Sequence, residues 1–396
     1  MAAEIALILT LSVLIWISPY VAKLLRLPTP PVEILLGTFL GLFGWVHANI
    51  YFDLIAEVGF LYLMFLAGME VDLKQLASTS PRIIRQALLF VIALGLLALL
   101  SGFALGLHPI VTISLPLISI GMLASLSRTQ STKERWLELA IIVGVLGEIA
   151  SIAALTILDA ASQVGLGWEL LFKLGLLILF IASIYVVYHI LHLLFWWMPE
   201  LKKKLMPTLD TSDQDVRLAM ALFFILIAVM LLLDLELALG AFIAGVAIRS
   251  FFRHEKRLEE KLSSLGFGLL IPLFFIHVGV SFHLPSLMIP GVVSGALLIA
   301  GVMFAIRILA AVTLQKIQGL LDAITVAIAL SMPLTLLIAV ATIGYTTNNI
   351  SLITYYQLIL ASLIEVIVAM TALKGLQILR TKMRQRAWRE KKLNRR

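Results

Sequence analysis

One carboxylate stands midway through the apolar run Ile141–Leu155, IIVGVLGEIASIAAL. Burying Glu148 there as an anion, inside a membrane, costs on the order of several kcal/mol. A group that costly is a functional-site candidate unless a partner explains it. Its neighbours Gly144, Gly147, Ala150, Ser151, Ala153 and Ala154 are small. Small side chains let neighbouring helices, or a hydrated ion, come close. A lone carboxylate in such a place can hold a proton or a monovalent cation. The competing reading is a structural ion pair or a protonated, silent glutamate.

Two prolines extend the candidate site. Ser114-Leu-Pro116-Leu and Ser331-Met-Pro333-Leu lie inside apolar runs. Proline lacks an N–H and frees a carbonyl one turn earlier. At membrane depth that carbonyl must face a cavity or buried protein. Two helices broken at Pro116 and Pro333 would set freed carbonyls and helix ends beside an ion. Ser114, Ser119, Ser331 and Thr335 offer hydroxyl oxygens. Ordinary proline kinks are the plain alternative. Arg307 lies deep in Val302–Leu309, too far from either end to snorkel, and needs an anion. Glu148 and Glu365 are the candidates, and a fold-holding bridge to Glu365 is the simpler choice. Other polar groups carry less. Glu70 and Asp72 end a helix beside Lys74, at the expected cytoplasmic boundary, and His277 reads as a satisfied helix histidine. Glu33 and Glu236 sit near helix starts, where the macrodipole favours an acid. No phosphate loop, Ser/His/Asp set or metal-spaced histidine cluster appears, and no cofactor is implied.

The elements that must position these groups are membrane helices. Thirteen apolar segments have spanning character: roughly 4–22, 31–46, 53–71, 83–106, 110–127, 137–160, 170–198, 217–234, 236–252, 264–282, 288–315, 321–343 and 351–373. Lys and Arg collect in alternate connections, from Lys23/Arg26 through Lys202–Lys204 to the last segment. The positive-inside rule then predicts the N-terminus outside and the C-terminus inside, which an odd count of thirteen satisfies. The first run has no positive n-region or clear cleavage site and reads as a retained helix.

The chain also repeats weakly. Glu33–Phe39 resembles Glu236–Phe242 at an offset of 203. Pro116 pairs with Pro333, and Glu148 with Glu365, both at an offset of 217. The second copy starts seven helices after the first, so the two are inverted, as in many secondary transporters. The expected fold is an all-α polytopic membrane protein of two inverted six-helix repeats with two discontinuous helices crossing in the core. Residues 1–161 form the first repeat, 162–200 a linker helix, 201–373 the second repeat and 374–396 a basic cytoplasmic tail.

Composition excludes other classes. Hydrophobic residues make up 61% of the 396 and charged ones 13%, which a soluble domain would not tolerate. The net charge is +7, but Lys374–Arg396 holds ten Lys/Arg against one acid, leaving the remainder at −2. The basic balance belongs to a tail facing the anionic inner leaflet. No aromatic-interleaved basic patch suggests nucleic acid. The absence of cysteine removes disulfides and thiolate chemistry.

The stretches LPTPPVEILLGTFLGLFG, IAEVGFLYLMFLAGMEVD, LGAFIAGVAI and LGFGLLIPLFFIHVGVSF are familiar as a set. They resemble the transmembrane part of the cation:proton antiporter superfamily, in its sodium/proton and potassium-efflux exchanger branch. The similarity runs from about Leu11 to Met370. It implies thirteen helices, a core of helices 4–6 and 11–13, a panel of helices 1–3 and 8–10, a homodimer formed through the panel, and an elevator-like movement of the core. It also implies that Glu148 takes the place of the family's ion-binding aspartate and Arg307 that of a buried Lys or Arg. Three positions depart from the family pattern: Gly147 stands where Asn or Asp is usual, the acid is Glu, and SLPLIS replaces a polar Ser/Thr pair.

The resulting expectation is a secondary active Na⁺ or K⁺/proton antiporter of the cytoplasmic membrane, not an enzyme, and electroneutral. Its ion site is Glu148 with Ser119 and Ser114, with Arg307 and Glu365 as core charge partners. The alternatives are a transporter of another substrate on the same scaffold, such as an organic anion symporter, and a non-transporting membrane scaffold or sensor.

Overall fold

The computed structural model describes residues 2–25, 27–42, 50–71, 78–120, 123, 135–164, 167–197, 213–233, 235, 237–251, 256–282 and 287–393. Asp72, Lys74, Asp234 and Glu236 lie outside them. The secondary structure of the described residues is helical, joined by turns and short non-helical stretches, and includes no strand. Among the described residues, eight helices are long and apolar enough to cross a membrane, and a bent pair makes a ninth. This is a multi-pass membrane protein.

In chain order the helices are α1 (Ala2–Leu25), α2 (Thr29–Leu42), α3 (Ile50–Glu70), α4 (Pro81–Leu105), α5 (Pro109–Ser114) and α6 (Arg135–Val164). Then come α7 (Trp168–Trp197), α8 (Gln214–Leu232), α9 (Leu237–Phe251) and α10 (Lys256–Leu265). A π-turn, Gly266–Leu270, joins α10 to α11 (Ile271–Ser281). The last four are α12 (Val292–Ala310), α13 (Leu320–Ala329), α14 (Leu334–Thr346) and α15 (Leu352–Leu393).

Local chemistry explains several boundaries. Pro81 opens α4, where a missing N–H costs nothing, and Gly106 closes it with φ of 62°. Pro109 opens α5, and the Ile110 amide donates to His108 Nδ1 at 3.3 Å. Two expected boundaries differ. Helix α6 runs to Val164, past the expected end of the first repeat at 161. Helix α15 continues to Leu393, so no break separates the last span from the basic tail at 374. Its Lys, Arg, Gln, Leu and Met residues are strong helix formers, and no proline interrupts them.

The chain forms two compact units. One comprises Met1–Ser78 and Ile152–Ser286, the other Thr79–Ser151 and Leu287–Arg396. Each draws on both halves of the sequence, and helix α6 is divided between Ser151 and Ile152.

In the first unit, close backbone crossings hold the helices. Apolar burial gives little drive between helices in lipid, so packing at small residues decides. Gly68 of α3 abuts the Phe242 carbonyl, and Gly245 of α9 abuts the Phe65 carbonyl. The motifs FLAGMEVD and LGAFIAG thus pack on each other. Helices α3 and α11 are tied by His277 Nε2 to Asp53 Oδ1 at 2.7 Å.

Candidate functional site

Ser119, Glu148, Ser151, Arg307 and Glu365 all lie within the second unit. The sequence of α6 places Gly144, Gly147, Glu148 and Ser151 at i, i+3, i+4 and i+7, one face of a helix. That face meets a non-helical strip, Leu117–Ile120, which follows the end of α5 at Ser114. Helix α5 ends two residues before Pro116. A Cβ at Gly147 would stand 2.9 Å from Ile118 Cβ, so only glycine admits the strip at this distance.

The strip is held residue by residue. Arg307 Nη2 donates to the Leu117 carbonyl at 2.6 Å. The Ile118 amide donates to Ser151 Oγ at 2.8 Å, and Ser151 donates to the Gly147 carbonyl at 2.7 Å. Ser119 Oγ donates to Glu148 Oε1 at 3.2 Å, and the Ile120 amide lies 3.4 Å from Oε2. Glu148 is fully buried. Both of its oxygens are met by neutral donors, and among the described residues it has no cationic partner.

The second break mirrors the first. Helices α13 and α14 are bent by 47° across Leu330–Pro333. At Gly144 the two breaks come together: a Cβ there would abut Ile120 Cγ2 and stand 3.1 Å from Leu330 Cδ2.

Arg307 pairs with Glu365 at 3.0 Å, both fully buried, and also donates to the Met303 carbonyl at 3.1 Å. It does not pair with Glu148. Its Nε and Glu365 Oε2 have no partner among the described residues. The remaining candidates are less engaged. Ser114 donates to the Val111 carbonyl at 2.6 Å and Ser331 to the Ala327 carbonyl at 3.0 Å, each within its own helix. Thr335 is buried, and its hydroxyl has no partner among the described residues.

Two participants escaped the sequence reading. Ser151 was legible only as one more small residue, although its i+3 spacing from Glu148 puts it on the same face. The Leu117 carbonyl is backbone, and residue type gives no sign of it. Among the described residues no group of three His, Asp or Glu gathers as a metal cluster. A cation here would therefore be met by one carboxylate together with hydroxyl and carbonyl oxygens.

A family model described as sodium/hydrogen exchanger, transmembrane, matches residues 8–378. YjbQ of Bacillus subtilis (strain 168) is 24% identical over 378 residues, which is 88% of this chain. The chain spans 59% of the length of that relative. The Na(+)/H(+)-K(+) antiporter GerN of Bacillus cereus is 26% identical over 65% of this chain and 66% of its own length. The solved structure of the sodium proton antiporter MjNhaP1 from Methanocaldococcus jannaschii at pH 8 superposes with a TM-score of 0.65. It covers 95% of this chain and 99% of that one at 17% identity. The helical fold is therefore shared with that protein.

Proposed function

This chain belongs to the sodium/hydrogen exchanger family, and from that premise we propose that it exchanges a monovalent cation for a proton across the cytoplasmic membrane. The observation that carries the reading is Glu148: wholly buried, bonded only to a hydroxyl and an amide, and beside a break in a helix. A carboxylate paired with a guanidinium would stay occupied. One met only by neutral donors is open to either a proton or a cation, never both. When a cation arrives, Ser119 turns its hydroxyl so that a lone pair, not the hydrogen, faces the site. Access then alternates between the two sides of the membrane with either occupant on Glu148.

The count of titrating groups favours electroneutral exchange. Gly147 cannot titrate, and a guanidinium stays charged at any working pH. Glu365 is held by Arg307 and does not cycle. One proton then trades for one cation in each protomer. The same reading has thirteen spans in two inverted repeats, the N-terminus outside, a homodimer, and either Na⁺ or K⁺ as cargo. The names of the relatives, with Na⁺ in most and K⁺ for GerN, support that pair of ions.

The test is proton flux in proteoliposomes driven by Li⁺, Na⁺, K⁺ or Rb⁺ gradients. Flux with none of the four overturns the function. With Na⁺ as test ion and the potential set by valinomycin and K⁺, rates should not change with the imposed potential. A dependence on potential at constant ion gradients overturns the one-for-one count and points to Glu365 as a second proton carrier.

A further inference from the structure

A third buried carboxylate, in the first unit, is not used by this mechanism. Glu33 of α2 is 2% exposed, and its Oε1 lies 3.1 Å from Ser18 Oγ of α1, itself 1% exposed. The helix dipole is a poor account of it. Helix α2 begins at Thr29, so Glu33 is the fifth residue, beyond the first turn where the dipole acts.

The geometry around Ser18 is more telling. Pro19 lies inside α1. The amide of residue 19 would normally occupy the carbonyl of residue 15, and proline has none to offer. Ser18 Oγ stands 3.3 Å from that freed Ile15 carbonyl. One hydroxyl therefore faces two acceptors, the Ile15 carbonyl and Glu33, while it carries a single hydrogen. If Glu33 is ionised, Ser18 can serve only one of them, and a buried acceptor is left unpaired. If Glu33 is protonated, its O–H donates to Ser18 Oγ, Ser18 donates to Ile15, and every group is satisfied.

No charge replaces that proton. Helix α2 has no other titratable residue, α1 carries Glu4, Tyr20 and Lys23, and α11 carries His277, which is engaged with Asp53. Among the described residues, none of these bonds to Glu33, and it forms no ion pair.

We propose that Glu33, Ser18 and the Ile15 carbonyl form a second, exchangeable proton-binding site, in which the proton completes a hydrogen-bond chain that mends the Pro19 gap in α1. Release of the proton loosens that chain, so α1 and α2 respond to pH independently of Glu148. The inference does not depend on which ion the chain carries, or on whether it carries one.

The experiment is infrared difference spectroscopy of the full chain, acid minus alkaline, with the Glu33→Gln variant alongside. The wild type should show a protonated-carboxyl band that is lost on alkalinisation and is missing from Glu33→Gln. Ser18→Ala, which also serves if Glu33→Gln does not fold, should displace that band, because the carboxyl loses its acceptor. Pro19→Ala returns an amide to Ile15 and frees the Ser18 hydrogen for a carboxylate, so the band should fade at a lower pH. Two results overturn the site: no band that differs between wild type and Glu33→Gln, or one that persists at every pH the fold survives. An unchanged titration in Pro19→Ala overturns the link to the helix gap.

Discussion

Glu148 and Glu365 stand 217 residues apart, each fully buried in a long apolar helix, and differ in what meets the carboxylate. Glu148 is met by a serine hydroxyl and a backbone amide. Glu365 is met by a guanidinium that also grips the Leu117 carbonyl. Neutral donors leave a charge uncompensated, and in the proposed exchange the group trades a proton for another cation. A fixed cation compensates the charge in place, so the group holds the fold. Under the proposed function, two acids paired at an offset of 217 take a mobile role and a structural one, and the partner decides which.

The comparison breaks most sharply at Glu148. Glu148→Gln keeps the size and removes the charge, and should abolish cation-driven proton flux in a protein that still folds. Retained flux above half of wild type, in the proteoliposome assay, would end the assignment.

On the other side, Arg307→Ala leaves Glu365 as an unpaired buried charge, at a cost of about 3–5 kcal/mol. The melting temperature in detergent should fall accordingly. Adding Glu365→Ala should recover part of the loss, though not all, since the Leu117 carbonyl stays unpaired in both variants. Additive losses in that cycle would show that the pair is not coupled.

A smaller effect separates positioning from charge. Ser119→Ala removes one hydrogen bond to Glu148, worth roughly 0.5–1.5 kcal/mol. The apparent cation affinity should weaken by roughly 2- to 10-fold with the melting temperature nearly unchanged. A loss as complete as that of Glu148→Gln would mean the hydroxyl is an obligatory ligand.

Two glycines test the packing around Glu148 without touching its charge. Gly147→Ala drives a methyl group against Ile118 and should cost about 1–3 kcal/mol of stability. Gly301→Ala in α12, where a Cβ meets nothing within 4 Å, should be neutral or gain up to about 1 kcal/mol from helix propensity. Equal thermal shifts for the two would show that the close approach of the strip is not specific.

Much of this was legible from residues alone. Apolar runs long enough to span a bilayer, an acid in the middle of one, and prolines inside two others are local facts of composition and spacing, and local rules read them. Helix α5 ends at Ser114, just ahead of Pro116, and α13 and α14 part across Leu330–Pro333. The i, i+3, i+4, i+7 face carrying Gly144, Gly147, Glu148 and Ser151 was available from helical periodicity. Other features were not. Residue type alone left Arg307 a choice of two glutamates, because pairing over 58 or 159 residues depends on where the chain brings each end. The grip of Arg307 on Leu117 and of Ser151 on Ile118 uses backbone groups, which every residue has and no side chain advertises. Ser18 and Glu33 showed the same limit: the proline, the serine and the acid were each visible, but only packing of α1 on α2 put one hydrogen between two acceptors. Periodicity and solvent preference act within a segment and are written in the sequence. Hydrogen-bond partners across segments are settled only when the helices meet.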